Sequence, residues 1–306
     1  MLLIIDGNAL MHRAFHALPQ FATKKGIPTN AIYGFFSILH KAVTDYRPQN
    51  LAVCFDTPVP TFRKKIFKEY QSHRPKMEDK LACQFSGVKE GLDAAGILRL
   101  EKEGFEADDV IGTISSSFSS KEDKALILSG DKDILQLVNN NVFVITPQLG
   151  FSKEKIYDPD GVKLRFGIEP RQIPEYKALM GDQSDNYKGA KGIGPKTAAD
   201  LLNRFDNIDN IYRQIDQING KIKDILIEHK ENIFLSKQLA TILTDIDIKF
   251  DMNKAKFNGY SRNLEEFFLT YEITSLLKRM FPKAKSESIT TVEKKQKKDD
   301  DQIGLF

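Results

Sequence analysis

Nine carboxylates stand at recurring places in this chain: Asp6, Asp56, Glu106, Asp108, Asp109, Asp131, Asp133, Asp182 and Asp185. Together they could hold divalent metal ions. Glu106, Asp108 and Asp109 open an apolar-periodic run (Val110, Ile111, Ile114, Phe118) that predicts a helix. Glu106 and Asp109 are three apart and share a helix face. Acids in a first turn have a plain explanation, because the helix dipole favours negative charge there. The other acids weigh against that explanation alone. Asp6 closes the apolar run Leu2-Leu3-Ile4-Ile5, and Asp56 closes Leu51-Ala52-Val53-Cys54-Phe55. Asp131 and Asp133 follow Ala125-Leu126-Ile127-Leu128-Ser129-Gly130. Ligands of open α/β sheets bind outside the carboxyl ends of the strands, so these acids are expected on one rim. Asp182 and Asp185 join them if the second half of the chain returns there. So many carboxylates at close range cannot all stay ionised without cations. Oxygen-only donors, with no histidine or cysteine, select magnesium or manganese over zinc. Two such ions roughly 3.5–4 Å apart would clamp the attacking and leaving oxygens of a phosphodiester, and one would activate water. Calcium would also accept oxygen donors, but the ligands do not form a contiguous EF-hand loop. Taken singly, Asp6 and Asp131 could be helix caps, and Asp182 and Asp185 turn residues; their joint placement carries the metal reading.

The elements that must position these acids can be read from the apolar runs. Short strands are expected at residues 2–5, 51–55, 97–100, 125–128 and 142–145, with helical stretches between. Alternating strands and helices imply an α/β fold: a mostly parallel sheet with helices on both faces. Residues 57–82 interrupt the alternation with a basic, aromatic-interleaved insertion holding Arg63, Lys64, Lys65, Lys68, Tyr70 and Arg74. Snorkelling lysines on a solvated helix pair would give such a pattern. Beside an acidic rim, however, the cations suit an anionic polymer held over metals, and aromatics can stack unpaired bases. From about residue 168 helical patterns take over, at 173–180, 196–205, 222–228, 233–243, 264–271 and 273–280, with no further strand expected. Between the first two lie Gly181-Asp182-Gln183-Ser184-Asp185-Asn186 and Lys191-Gly192-Ile193-Gly194-Pro195-Lys196-Thr197. Gly192 and Gly194 can serve a tight helix connector. They also suit a helix-hairpin-helix, whose amides and following helix N-terminus take a phosphate, with Lys191 and Lys196 adding charge.

Bulk properties bound the possibilities. At 306 residues the chain suggests roughly two domains. Its net charge of +3 confines any nucleic-acid binding to local patches. Cys54 and Cys83 are too few and too unpatterned for a disulfide framework or zinc site. No basic leader precedes the first strand, and no apolar run reaches membrane-spanning length; a reducing cytoplasm is the expected place. Residues 283–301 are polar and Lys/Asp-rich, the composition of a disordered linker.

Taken in order, these motifs resemble the 5′-nuclease domain of bacterial DNA polymerase I and its relatives, the flap endonucleases. The resemblance covers about residues 1–280. It rests on Ile5-Asp6-Gly7-Asn8, Phe55-Asp56, Thr61-Phe62-Arg63, residues 70–75, Glu106 through Gly112, Gly130-Asp131-Lys132-Asp133, Gly181-Asp182 with Ser184-Asp185-Asn186, and Gly192-Ile193-Gly194 with Lys196-Thr197-Ala198. It implies a PIN-like catalytic domain over 1–167, with 57–82 as an arch threaded by a single-stranded 5′ end. A helical, duplex-binding domain with a helix-hairpin-helix (H3TH) is implied over 168–282. One metal group would centre on Asp56, Glu106, Asp108, Asp109 and Asp131, and the second on Asp131, Asp133, Asp182 and Asp185. Asp6 would act through water held by the ion. Two Mg2+ ions are implied, with Mn2+ as a substitute, and K+ at the helix-hairpin-helix. Arg13, Tyr70 and Arg74 match positions that grip substrate near the scissile phosphate. Arg63, Lys64, Lys65, Lys68, Lys191, Gly192, Gly194, Lys196 and Thr197 are the expected DNA contacts.

One departure stands out. The family usually has lysine directly after the arch tyrosine, where this chain has Gln71. With no polymerase domain after Phe306, the resemblance fits a stand-alone 5′-3′ exonuclease or a fragment. Gln302-Ile303-Gly304-Leu305-Phe306 resembles the short motif by which bacterial replication proteins hold the sliding clamp, with Gln302, Leu305 and Phe306 as its anchors. The expected protein is a monomeric Mg-dependent 5′-nuclease acting on flaps, nicked or branched duplexes and RNA-primed ends, in replication and repair. Gln71 leaves a non-catalytic junction-binding protein associated with the clamp as the alternative. A PIN-type RNase fits less well, because Gly-Asp-x-Ser-Asp and Gly-Ile-Gly serve duplex engagement in the resembling family.

Overall fold

The computed structural model describes residues 1–118, 123–147 and 154–282. The expected linker 283–301 and the anchors Gln302, Leu305 and Phe306 lie outside the described residues. The first half runs β1 (Leu2–Asp6), α1 (Gly7–Ala17), α2 (Asn30–Tyr46), β2 (Asn50–Cys54), α3 (Phe62–Ile66), α4 (Asp79–Ala95), β3 (Leu98–Leu100), α5 (Ala107–Phe118), β4 (Ala125–Leu128), β5 (Val142–Pro147), β6 (Glu154–Tyr157) and α6 (Pro159–Phe166). The second half runs α7 (Ile173–Met180), β7 (Gly181–Asp182), β8 (Tyr187–Lys188), α8 (Pro195–Phe205), α9 (Ile208–Arg213), α10 (Lys221–Glu228), α11 (Lys230–Ala240), α12 (Met252–Ala255), α13 (Asn263–Thr270) and α14 (Thr274–Met280).

The sheet order is β3-β2-β1-β4-β5-β6, parallel except for β6, which pairs antiparallel to β5. Asp6 on β1 lies beside Cys54 on β2, so Asp6 and Asp56 leave the sheet at one edge. β1 is buried along its whole length, because both sheet faces are covered. Successive side chains point to opposite faces. Leu2 and Ile4 therefore join α5, whereas Leu3 and Ile5 join α1, α2 and α4. All five strands expected from the apolar runs are present, and β6, β7 and β8 are additional. The two-residue strands β7 and β8 bracket the turn that carries Asp182 and Asp185. Runs so short carry no period-2 signal.

The helical half is not one packing unit. Helices α7 and α8 extend the α5 face of the core. Leu264, Phe267, Phe268 and Leu276 of α13 and α14 instead return to the opposite face, against α2 and α4. Packing thus joins the last two helices to the sheet, although they follow the helical segments in sequence. Gly112 has a steric reason: a Cβ there would lie 2.7 Å from the Leu243 carbonyl oxygen. Its absence lets residues 241–243 lie directly on α5.

Candidate active site

Five acids come from the carboxyl ends of β1, β2 and β4 and from the start of α5. Asp6 accepts from the Ala9 amide at 2.9 Å and from the Ser129 hydroxyl at 2.7 Å. The same carboxylate therefore caps α1 and faces the rim, so the two readings of Asp6 coexist. Asp56 accepts from the Ala107 amide at 2.7 Å, and its own amide donates to Asn8 Oδ1 at 3.1 Å. Glu106 accepts from the Tyr70 hydroxyl at 3.3 Å and the Thr61 hydroxyl at 3.4 Å. Asp131 accepts from the Asp133 amide at 2.8 Å. Asp6, Asp56, Glu106, Asp108, Asp131, Asp133 and Asp185 line one cleft of about 690 Å3.

A second group sits beside it. One oxygen each of Asp133, Asp182 and Asp185 lies within 4.8 Å of the others. Gly181 makes this approach possible: at φ 80° it is left-handed, and a Cβ would lie 2.5 Å from the Gly189 nitrogen. Lys177, one turn earlier on α7, pairs with Asp133 and lies 2.5 Å from Asp182. Arg74 donates to Asp185 at 2.6 Å, and the Gln71 amide does so at 3.2 Å. Gln71 thus faces the acids from the position where the resembling family carries lysine.

The electrostatics fit cation ligands. Burial, with Asp56 and Asp131 nearby, raises Asp6 to about 7. Burial also raises Glu106 to about 7, with Asp56 and Asp109 adding to the shift. Asp133 rises to about 6, again mainly through burial. Asp108 is pushed well above the carboxylate range by burial and by Asp131, Asp6, Glu106 and Asp56. Carboxylates that hold their charge only at a cost, and carry only oxygen donors, suit hard divalent ions.

This makes a pH prediction for the metal-free protein. Asp6, Glu106 and Asp133 titrate above their unfolded values, so the folded state holds more protons between about pH 4 and 7. Stability falls wherever the native state binds more protons than the unfolded state and pH rises. The melting temperature in chelator should therefore fall from pH 5 to 8, and saturating Mg2+ should flatten the fall. Calorimetry across that range checks it; a metal-free curve that rises would contradict the site's electrostatics.

Two expected site residues, Asp109 and Arg63, form a buried ion pair. Asp109 is fully buried and receives Arg63 through two bonds, at 2.7 and 2.9 Å. It also accepts from the amides of Leu243 at 2.9 Å and Glu106 at 3.1 Å. Both oxygens are engaged and the residue has no exposure, the environment of a structural ion-pair partner. Arg63 borders the cleft but is only 2% exposed, with its guanidinium committed to Asp109 and to the Leu239 and Thr241 carbonyls. Arg13 is absent from the cleft wall, where its neighbour His12 stands instead. Tyr70 is buried against Tyr187, Leu239 and Ala240, with its hydroxyl on Glu106. Lys64 lines the cleft, whereas Lys65 and Lys68 are exposed outside its wall. Lys191, Gly192 and Lys196 are exposed around the start of α8, and Gly194 and Thr197 are partly exposed. Lys177, Ser129, Asn8 and Thr61 were not expected. Ser129 sits directly before Gly130-Asp131, which was the available hint. Lys177 lies five residues before Asp182 and gave no signal beyond its helix.

Residues 1–167 match the N-terminal, resolvase-like domain of 5′-3′ exonucleases, and residues 168–263 match their C-terminal SAM fold. A 5′-3′ exonuclease of Aquifex aeolicus is 40% identical over 292 residues, covering 94% of this chain and 99% of that protein. The chain belongs to the 5′-3′ exonuclease family. The nuclease is also 40% identical to DNA polymerase I of Bacillus subtilis over 281 residues. That match covers 91% of this chain and 32% of the polymerase, so the chain spans about a third of that relative. In fold it is similar to the phage T5 flap endonuclease in complex with DNA and metal ions. The TM-score is 0.64 at 23% identity, over 78% of this chain and 88% of that one. It is also similar to the catalytic core of Rad2 with DNA substrate, at TM-score 0.59 and 15% identity, over 92% of each chain. Among the described residues, no helix is long and apolar enough to cross a membrane.

Proposed function

We propose that this nuclease hydrolyses DNA phosphodiesters at 5′ ends and 5′ flaps, using two Mg2+ ions, in primer removal and repair. The observation that carries the reading is the gathering of the strand-end acids with Asp133 and Asp185 at one cleft, with Asp182 close to the last two. Asp56, Glu106, Asp108 and Asp131 would hold one ion, with Asp6 acting through its water, and Asp131, Asp133, Asp182 and Asp185 would hold the other. Bound there, the ions would stabilise charge on the phosphoryl oxygens and sharpen the attacking water. The chain's own residues position the rest. Lys64 and Arg74 bring positive charge to the cleft wall, where a phosphate backbone would lie. Tyr70 and Thr61 fix Glu106 by their hydroxyls. The start of α8, with the exposed Lys191 and Lys196, would seat a duplex backbone, and the Gly192–Gly194 turn would take the K+ ion. The clamp motif at 302–306 would tether the nuclease to the sliding clamp and raise its effective concentration at junctions.

The test is cleavage of a labelled 5′-flap duplex in Mg2+ and in chelator, beside Asp133→Ala. Release of flap or short 5′ products in Mg2+, lost in chelator and in the variant, is the expected result. Tight binding without cutting in Mg2+ would overturn it in favour of a junction-binding protein with an arch disabled at Gln71.

A further inference from the structure

The second acid group already holds a cation. Lys177 bonds Asp133, lies 2.5 Å from Asp182, and has only 17% of its side chain exposed. Burial works against the ammonium, but the two aspartates more than offset it and hold Lys177 above the ordinary lysine range. The third acid, Asp185, is taken by Arg74. Three carboxylates and two basic partners leave one net negative charge at this group. A divalent ion added with both partners in place would leave one net positive charge, the counterpart of a phosphodiester. Beside the group, the buried Tyr187 hydroxyl has no hydrogen-bond partner. Tyr187 is close enough to Lys177, Asp133 and Asp182 to sense their charges.

We propose that Lys177 is a resident counter-ion of the second metal group, which a divalent ion must displace from Asp133 and Asp182. The geometry supplies the competition: an ammonium at bonding distance from both acids repels a second cation brought to the same carboxylates. It also supplies a landing point, because the Tyr187 hydroxyl can accept from a displaced ammonium. Lys177 therefore stabilises the metal-free acids and weakens the second ion's binding. An arriving phosphate restores charge balance and favours the loaded state. The inference rests on the proposed two-ion reading and concerns a positioning residue, not one that touches the reacting atoms.

The experiment is calorimetric titration of the 306-residue chain with Mn2+ alone, for wild type, Lys177→Met and Asp133→Ala. Two sites in wild type and one in Asp133→Ala are expected. Lys177→Met should bind the second ion at least about tenfold more tightly, since each tenfold needs only about 1.4 kcal/mol. It should also melt lower in chelator and gain more from Mn2+ than wild type does. A wild type with a single site would overturn the two-ion reading itself. Two sites in wild type with an unchanged or weaker second site in Lys177→Met would overturn only the counter-ion role. The wild type gives a second readout should Lys177→Met fail to fold. Acylation of Lys177 by an amine-directed reagent, followed by mass spectrometry, should rise on Mn2+ saturation; unchanged protection would reject the displacement.

Discussion

Asp108→Asn is expected to slow 5′-flap cleavage in Mg2+ by about 10³-fold or more while raising the melting temperature of the metal-free protein. The two effects have one cause. Burial raises the cost of a charge on Asp108, and repulsion from Asp131, Asp6, Glu106 and Asp56 adds to it. At neutral pH the folded protein must either bury that charge or take up a proton that the unfolded chain does not need. Asparagine keeps the shape and needs neither. The gain should reach several degrees at pH 8 and shrink towards pH 4, where the unfolded carboxyl is also protonated. The amide, however, cannot replace an anionic oxygen toward a cation. A cation's contact with developing charge is worth several kcal/mol, and about 1.4 kcal/mol is tenfold in rate. The rise in melting temperature on adding Mg2+ should shrink as well. Single-turnover cleavage and calorimetry with and without Mg2+ check all three. Cleavage near the wild-type rate, or a lower melting temperature in chelator, would remove Asp108 from the ion-holding group.

What sequence alone made legible follows from how each feature is encoded. The five strands were visible because a strand covered on both faces must be apolar throughout, as in Leu2-Leu3-Ile4-Ile5. Asp6 and Asp56 were visible because each follows such a run, and Glu106, Asp108 and Asp109 because they open a helix, whereas Asp182 and Asp185 stood out only through their Gly-Asp-x-Ser-Asp motif. β7 and β8 were not, because two residues on each side of a turn carry no periodicity. The return of α13 and α14 to the sheet was hidden for another reason. Leu264, Phe267 and Leu276 have the same helical spacing whichever face they cover. Lys177 was missed because its role depends on two acids at different sequence distances, Asp133 and Asp182. Asp109 and Arg63 were read from charge, spacing and motif, none of which reveals burial.

Arg63→Met is expected to destabilise the nuclease by about 3–5 kcal/mol, the loss typical when one partner of a buried ion pair is removed. Arg63 joins three parts of the chain. Its guanidinium holds Asp109 on α5 through two bonds, donates to the Leu239 carbonyl at 2.8 Å, and reaches the Thr241 carbonyl at 2.7 Å. Methionine fills the space but leaves Asp109 fully buried and without its cation. For a chain of this size the loss should lower the melting temperature by on the order of 10 °C. Lysine cannot reproduce the fork of donors, so Arg63→Lys should recover only part of it. Removing both charges together, as Arg63→Met with Asp109→Leu, should restore most of the stability, because no unpaired charge remains. This cycle also separates the two roles open to Asp109. As a structural partner, Asp109→Asn should leave the number of Mn2+ ions bound by the folded protein unchanged below its melting temperature. Loss of an ion in Asp109→Asn, with its fold intact by circular dichroism, would return Asp109 to the metal ligands. Glu106 gives the latch its bearing on chemistry. Its carboxylate lies 3.4 Å from Arg63, and its backbone amide donates to Asp109. A loosened Arg63 should therefore disturb the cleft even where the protein stays folded, with Arg63→Lys losing cleavage rate at temperatures well below its transition.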